Sequence, residues 1–135
     1  MVFLKEGKDV DGKKRVLIID DEPIICRGLE KEFIDAGYEA ESAGSCDGAL
    51  EKIKEREFDI VFIDLVLPGK DGVETCREIK GVSPQSKLVF MTGMMETDPI
   101  FKEMQFVEAG GQAHYLYKPF LEGEILEVAQ KALRA

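Results

Sequence analysis

VLIIDDEPIICRGLEKEFIDAGYEAESA (residues 16–43) carries the pattern of a complete strand–helix–strand unit. Its first four residues are apolar without a break, as in a strand covered on both faces. The acids that follow lead into Pro23, which sits well in a first helical turn because its missing N–H has no partner to lose there. Ile24, Ile25, Leu29 and Phe33 then lay an apolar stripe along a helix over 23–36, with the acids and Lys31 turned to water. Gly37 ends that helix as a C-cap glycine. Residues 38–43 alternate, which predicts an edge strand.

The same unit recurs along the chain. Strands are predicted at 60–63 (IVFI), 87–91 (containing LVFM) and 115–117, and helices at 46–56, 72–80, 98–109 and 121–134. The runs VLII, IVFI and LVFM are apolar throughout, so they call for helices on both sides, and parallel neighbours call for helical crossovers. Five β/α pairs therefore predict an α/β domain with a single doubly wound five-stranded parallel sheet. Residues 1–14 are polar and aperiodic and read as a flexible lead-in to a domain over 15–135.

Composition narrows the function. At 44% hydrophobic and 33% charged residues, the 135-residue chain can bury one core and has room for one ordinary domain. Its formal net charge of -9 repels nucleic-acid and lipid phosphates, so no direct nucleic-acid binding and no membrane association are expected. No apolar run is long enough to span a bilayer and the charged start is no signal peptide, which makes a cytoplasmic location the expectation. Cys26, Cys46 and Cys76 lie too far apart in sequence for a metal or disulfide motif and read as reduced, partly buried small hydrophobes.

In an open parallel sheet, ligands bind beyond the carboxyl ends of the strands, near the switch in strand order. The residues just past the predicted strands are Asp20 and Asp21, Asp64, Thr92 and Lys118. Three carboxylates gathered there would repel by roughly 4 kcal/mol per close pair at an effective dielectric near 20, so the cluster calls for a cation. Hard oxygen donors without sulfur or imidazole favour Mg²⁺. A carboxylate beside that ion can attack phosphorus and form an acyl phosphate, while Thr92 and Lys118 supply donors to the phosphoryl oxygens.

VLIIDDE (16–22), VFIDLVLPGKDG (61–72), LVFMTG (88–93) and YLYKPF (115–120) resemble, in order, the four signature segments of the response-regulator receiver family of two-component phosphorelay systems. The resemblance covers Arg15 to Arg134. It implies a flavodoxin-like (βα)5 sheet of order 2-1-3-4-5. It also implies that Asp64 accepts a phosphoryl group from a histidine kinase phosphohistidine, with Mg²⁺ held by Asp21 directly, by Asp20 largely through water, by Asp64, and by the Val66 backbone carbonyl. Thr92 becomes the switch hydroxyl, Tyr115 the aromatic that swings inward with it, and Lys118 the phosphoryl partner, its bond to Pro119 cis. Pro68, Gly69 and Gly72 shape the loop after Asp64. Such a domain is a phosphoacceptor rather than an enzyme acting on other substrates. Its partners are a sensor kinase or phosphotransfer protein and an effector domain or downstream protein, with a homodimer through the face between the fourth and fifth helices as a further association. It either stands alone or forms the front of a longer regulator.

Taken singly, DDE before Pro23 is ordinary helix-start chemistry, Asp64 with P-G and D-G ordinary turn chemistry, and Lys118-Pro119 an ordinary turn; their joint order makes the site. His114 has no companion acid and reads as a surface residue. Phe101, Met104 and Val107, at i, i+3 and i+6, read as a buried helix face, with Asp98-Pro99 as its start and Gly110-Gly111 as its stop. The 26 positions from Thr92 to Lys118 and the double glycine before QAH depart from the family pattern and leave the fourth helix open. Val66 and Met94, which flank the approach to Asp64 in the family, are both apolar, so slow self-dephosphorylation is expected. The competing readings are an inactive receiver kept for protein binding and a flavodoxin-like small-ligand module. The latter lacks the glycine-rich phosphate loops of nucleotide sites, and an aspartyl phosphatase would need a D-x-D after the first strand.

Overall fold

A computed structural model describes residues 12–67, 69–93, 99–112, 115–119 and 121–134. Most of the lead-in, together with Pro68, Met94, Asp98, His114, Phe120 and the side chain of Phe101, lies outside the described residues. The elements follow strict alternation: β1 (Arg15–Ile19), α1 (Pro23–Asp35), β2 (Glu39–Ala43), α2 (Cys46–Glu55), β3 (Ile60–Asp64), α3 (Gly72–Val82), β4 (Lys87–Thr92), α4 (Pro99–Glu108), β5 (Tyr115–Tyr117) and α5 (Glu124–Arg134). The strands form one sheet of order β2-β1-β3-β4-β5, and every pairing is parallel.

Side chains of successive strand residues point to opposite faces, so each central strand feeds two cores. Leu17, Ile19, Val61, Ile63, Leu88 and Phe90 pack with Ala49 and Ile53 of α2, Val73, Cys76 and Ile79 of α3, and Phe106 of α4. Val16, Ile18, Ile60, Phe62, Val89, Met91 and Leu116 pack with Cys26, Leu29 and Phe33 of α1 and Ile125, Ala129 and Ala132 of α5. Within the central strands, Val16–Ile19, Ile60–Ile63 and Leu88–Met91 are thus apolar throughout because neither face meets water there. β2 is an edge strand, as its alternation predicts, and only Ala43 in it is buried.

Three predicted details are corrected. Ile24 is 76% exposed, and Cys26 takes its place in the buried stripe with Leu29 and Phe33. At 100° per residue, position 24 lies far around the helix from position 29, whereas 26, 29 and 33 share a face. Met104 and Val107 are likewise exposed, and Phe106 is the fully buried anchor of α4. The last predicted helix, placed over 121–134, begins at Glu124, because Gly123 adopts φ +85° and forms a turn first. All three cysteines are buried free thiols. Burial pushes Cys76 up to about 12, as befits a thiol used for packing.

α1 and α4 end in the same way. Gly37 N–H donates to Ile34 O and Tyr38 N–H to Phe33 O, while Gly110 N–H donates to Val107 O and Gly111 N–H to Phe106 O. Both are Schellman ends with a glycine at positive φ, +96° at Gly37 and +107° at Gly110. The residue after that glycine differs. Tyr38 packs on Phe33 in a T-shaped pair with centroids 5.1 Å apart, whereas Gly111 offers nothing, and the Phe106 ring fills the space a side chain would need.

Candidate functional site

The sheet registers bring the strand ends together. Asp20 N–H donates to Ala43 O, prolonging the β1–β2 ladder by one residue. Asp64 ends β3 opposite Met91, and Leu65 N–H donates to Met91 O. Lys118 N–H donates to Thr92 O, which fixes the lysine backbone beside the end of β4. Asp20 and Asp64 therefore stand at the ends of adjacent strands, where the chain crosses from one face of the sheet to the other.

Asp20, Asp21 and Asp64 each place a carboxylate oxygen within 4.8 Å of the others. Asp20 and Asp64 are buried and Asp21 is exposed at the rim. Each buried carboxylate is held in the same way: Glu22 N–H donates to Asp20 Oδ1 at 2.9 Å and Val66 N–H to Asp64 Oδ1 at 3.0 Å. The Lys118 ammonium donates to both remaining oxygens, Asp20 Oδ2 at 2.5 Å and Asp64 Oδ2 at 2.9 Å. Burial raises the Asp64 carboxyl above its ordinary range, and the Val66 amide and Lys118 offset part of that. Burial pulls Lys118 down, but its bonds to Asp20 and Asp64 outweigh this and hold the ammonium above its usual value.

Around this centre, Thr92 is buried and its hydroxyl donates to Gly93 O at 3.3 Å. Tyr115 pairs with Phe90 across β4 and β5 and stacks on it, with centroids 5.1 Å apart and planes 8° from parallel. The Lys118–Pro119 bond is cis. Val66 is 63% exposed at the lip of the site. Gly72 opens α3 against the loop: a Cβ there would lie 2.7 Å from Leu65 Cα and 2.8 Å from Asp64 O. That close approach lets Gly72 N–H donate to Leu65 O at 2.9 Å and fastens the backbone behind Asp64.

Asp20, Asp21, Asp64 and Lys118 thus converge, with Thr92 at the end of the neighbouring strand. Met94 and His114 fall outside the described residues. Sequence reasoning missed Glu22 as a neighbour of Lys118, 3.9 Å from its ammonium. It also missed the paired backbone amides at Asp20 and Asp64. The repeated D-x-[E/V] local turn could have suggested them, since an Asp side chain commonly accepts from the amide two residues on. The three hard oxygen donors fit a small divalent cation of the Mg²⁺ type.

An all-parallel five-stranded sheet of this order, with an acidic centre at the ends of β1 and β3, defines a flavodoxin-like α/β domain. The chain belongs to the response regulator receiver domain family, whose model matches residues 16–130. Chemotaxis protein CheY of Thermotoga maritima is 30% identical over 119 residues, covering 87% of this chain and 96% of CheY. Transcriptional regulatory protein ZraR of Salmonella typhimurium is 29% identical over 124 residues, covering 92% of this chain, but this chain spans 27% of ZraR. The crystal structure of a CheY-like receiver domain protein from Methanospirillum hungatei matches with a TM-score of 0.82 at 27% identity, covering 90% of this chain and 94% of that one. No helix among the described residues is long and apolar enough to cross a membrane.

Proposed function

We propose that this receiver accepts a phosphoryl group on Asp64 from the phosphohistidine of a sensor kinase or phosphotransfer protein, in a reaction that requires Mg²⁺. The observation that carries the reading is the set around Asp64: a buried carboxylate with Asp20 and Asp21 within 4.8 Å and the Lys118 ammonium 2.9 Å away. An Asp64 oxygen attacks phosphorus, the bond from phosphorus to the donor nitrogen breaks, and its electron pair leaves with the imidazole. Asp20, Asp21, Asp64 and the Val66 carbonyl would hold Mg²⁺, which would supply charge neutralisation for the phosphoryl oxygens. Val66 N–H keeps Asp64 oriented. Lys118 is placed to transfer its hydrogen bond from the carboxylate to a phosphoryl oxygen.

Thr92 then turns its hydroxyl from Gly93 O toward the phosphoryl group, and Tyr115 follows, which is the shape change an effector reads. The output reaches an effector domain or a downstream protein, or a second copy of the chain through the face of α4 and α5. The domain works in the cytoplasm and does not itself bind nucleic acid. An inactive receiver would have no use for the full set Asp20, Asp21, Asp64, Thr92 and Lys118. Incubation with a small acyl-phosphate donor and Mg²⁺ should add one phosphoryl group by intact mass. The gain should vanish with a chelator and in Asp64→Asn; equal labelling of that variant would refute the assignment.

A further inference from the structure

We infer that Tyr117 is a latch on the switch: its side chain holds Tyr115 in the resting position and so sets how readily the domain changes shape. This rests on the roles proposed above for Thr92 and Tyr115 and adds a third residue, outside the acidic centre.

The register of β4 and β5 places it. Phe90 stands opposite Tyr115, Met91 opposite Leu116 and Thr92 opposite Tyr117. Residues two apart on a strand share a face. Phe90, Thr92, Tyr115 and Tyr117 therefore lie together on the face that packs toward α4, while Met91 and Leu116 enter the core on the other side. Tyr117 thus neighbours both switch residues at once. Thr92 beside it is buried, whereas Tyr117 is 42% exposed, so its side chain can be changed without opening a hole in the core.

Two rings hold Tyr115 where it is. Phe90, fixed in the core, lies flat against it. Tyr117 meets it edge-on, with centroids 5.1 Å apart and planes at 86°, a favourable geometry for an aromatic pair. The Tyr115 and Tyr117 side chains also share a hydrogen bond, the leading reason that the Tyr115 hydroxyl is held above its ordinary range. A step between staggered side-chain wells is about 120°, and the hydroxyl at the tip of the ring moves farthest. Tyr115 cannot turn inward with Thr92 and keep these contacts to Tyr117. They belong to the resting state alone, and a contact made in one state only shifts the balance toward that state. Tyr117 therefore opposes the shape change until the phosphoryl group draws Thr92 across.

The test reads the Tyr115 side chain in the full chain by NMR. Three-bond couplings to its Cγ report χ1 directly, and the chain has 3 tyrosines to assign. The wild type, Tyr117→Phe and Tyr117→Ala are compared with and without Mg²⁺ and beryllofluoride, a phosphoryl mimic, with urea unfolding as the check on folding. Beryllofluoride should move wild-type Tyr115 to a new rotamer. Without it, Tyr117→Ala should raise the ratio of switched to resting Tyr115 by about tenfold, and Tyr117→Phe, which keeps the ring, by about threefold. Tyr117→Phe carries the test alone if the alanine variant unfolds. Phosphorylation by a small acyl phosphate should speed up in the same order, because more of the protein is already in the competent state. If the wild type switches while the variants rest as it does, the latch is overturned and the switch reading stands. Faster phosphorylation with an unchanged rotamer overturns the latch as well. A wild-type Tyr115 that keeps its rotamer with beryllofluoride bound overturns the proposed switch and this inference with it.

Discussion

Val66 and Gly72 bracket the loop behind Asp64, and they do opposite jobs. Gly72 is where backbone meets backbone, so its contribution is the absence of a side chain. Val66 holds Asp64 with its amide while its isopropyl group stands largely in solvent. Largely exposed, that apolar group offers an attacking water no hydrogen-bond partner at the lip. Positioning is most of what catalyses phosphoryl transfer, so a polar side chain there should help hydrolysis. Val66→Asn is expected to speed decay of the phosphorylated domain by about three- to tenfold, measured as loss of the phosphoryl mass over time; an unchanged decay would mean that Val66 does not control water. At this scale the site was legible, because Asp20, Asp64, Thr92 and Lys118 sit at strand ends that any parallel sheet brings to one edge. The Lys118 bridge was not, since it joins residues 98 and 54 positions apart and depends on distances that only the closed sheet defines.

The elements themselves were read well where periodicity is strong and poorly where one aromatic overrides it. Strand runs such as VLII leave no choice of face, since both are buried. On α4, the three-residue spacing of Phe101, Met104 and Val107 suggested a buried stripe, but steps of three drift by about 60° each around an α-helix. Phe106 has the deeper anchorage: its ring contacts Phe90 at 5.0 Å and stands over Gly111. The double glycine that breaks the family pattern thus has a physical reason. Gly110 makes the left-handed turn, and Gly111 makes room for the ring. A Cβ on Gly111 would lie 2.0 Å from Phe106 Cε2, so Gly111→Ala must displace the ring and should destabilise the fold by roughly 1–3 kcal/mol. Gly28, in the exposed middle of α1 with open space around it, is the contrast, and Gly28→Ala should stabilise by about 1 kcal/mol. Urea unfolding of the two variants checks both signs; a neutral Gly111→Ala would show that the ring has another place to go.

Across the whole molecule, the two cores place α1 and α5 on one side of the sheet and α2, α3 and α4 on the other, and the acidic centre lies where those layers part. The line of rings Phe106, Phe90, Tyr115 and Tyr117 runs from α4 across β4 and β5 to the surface. Any shift of Thr92 at the end of β4 therefore meets a packed aromatic path, and packed interiors rearrange between discrete states rather than yielding smoothly. On the proposed function, Asp64 is the residue that carries the phosphoryl group. Borohydride converts an aspartyl phosphate, but not a free carboxylate, to homoserine. After treatment with a small phosphodonor and Mg²⁺, reduction and peptide mass analysis should find homoserine at position 64 and nowhere else. Homoserine at Asp20 or Asp21, or none at all in fully phosphorylated protein, would contradict the account.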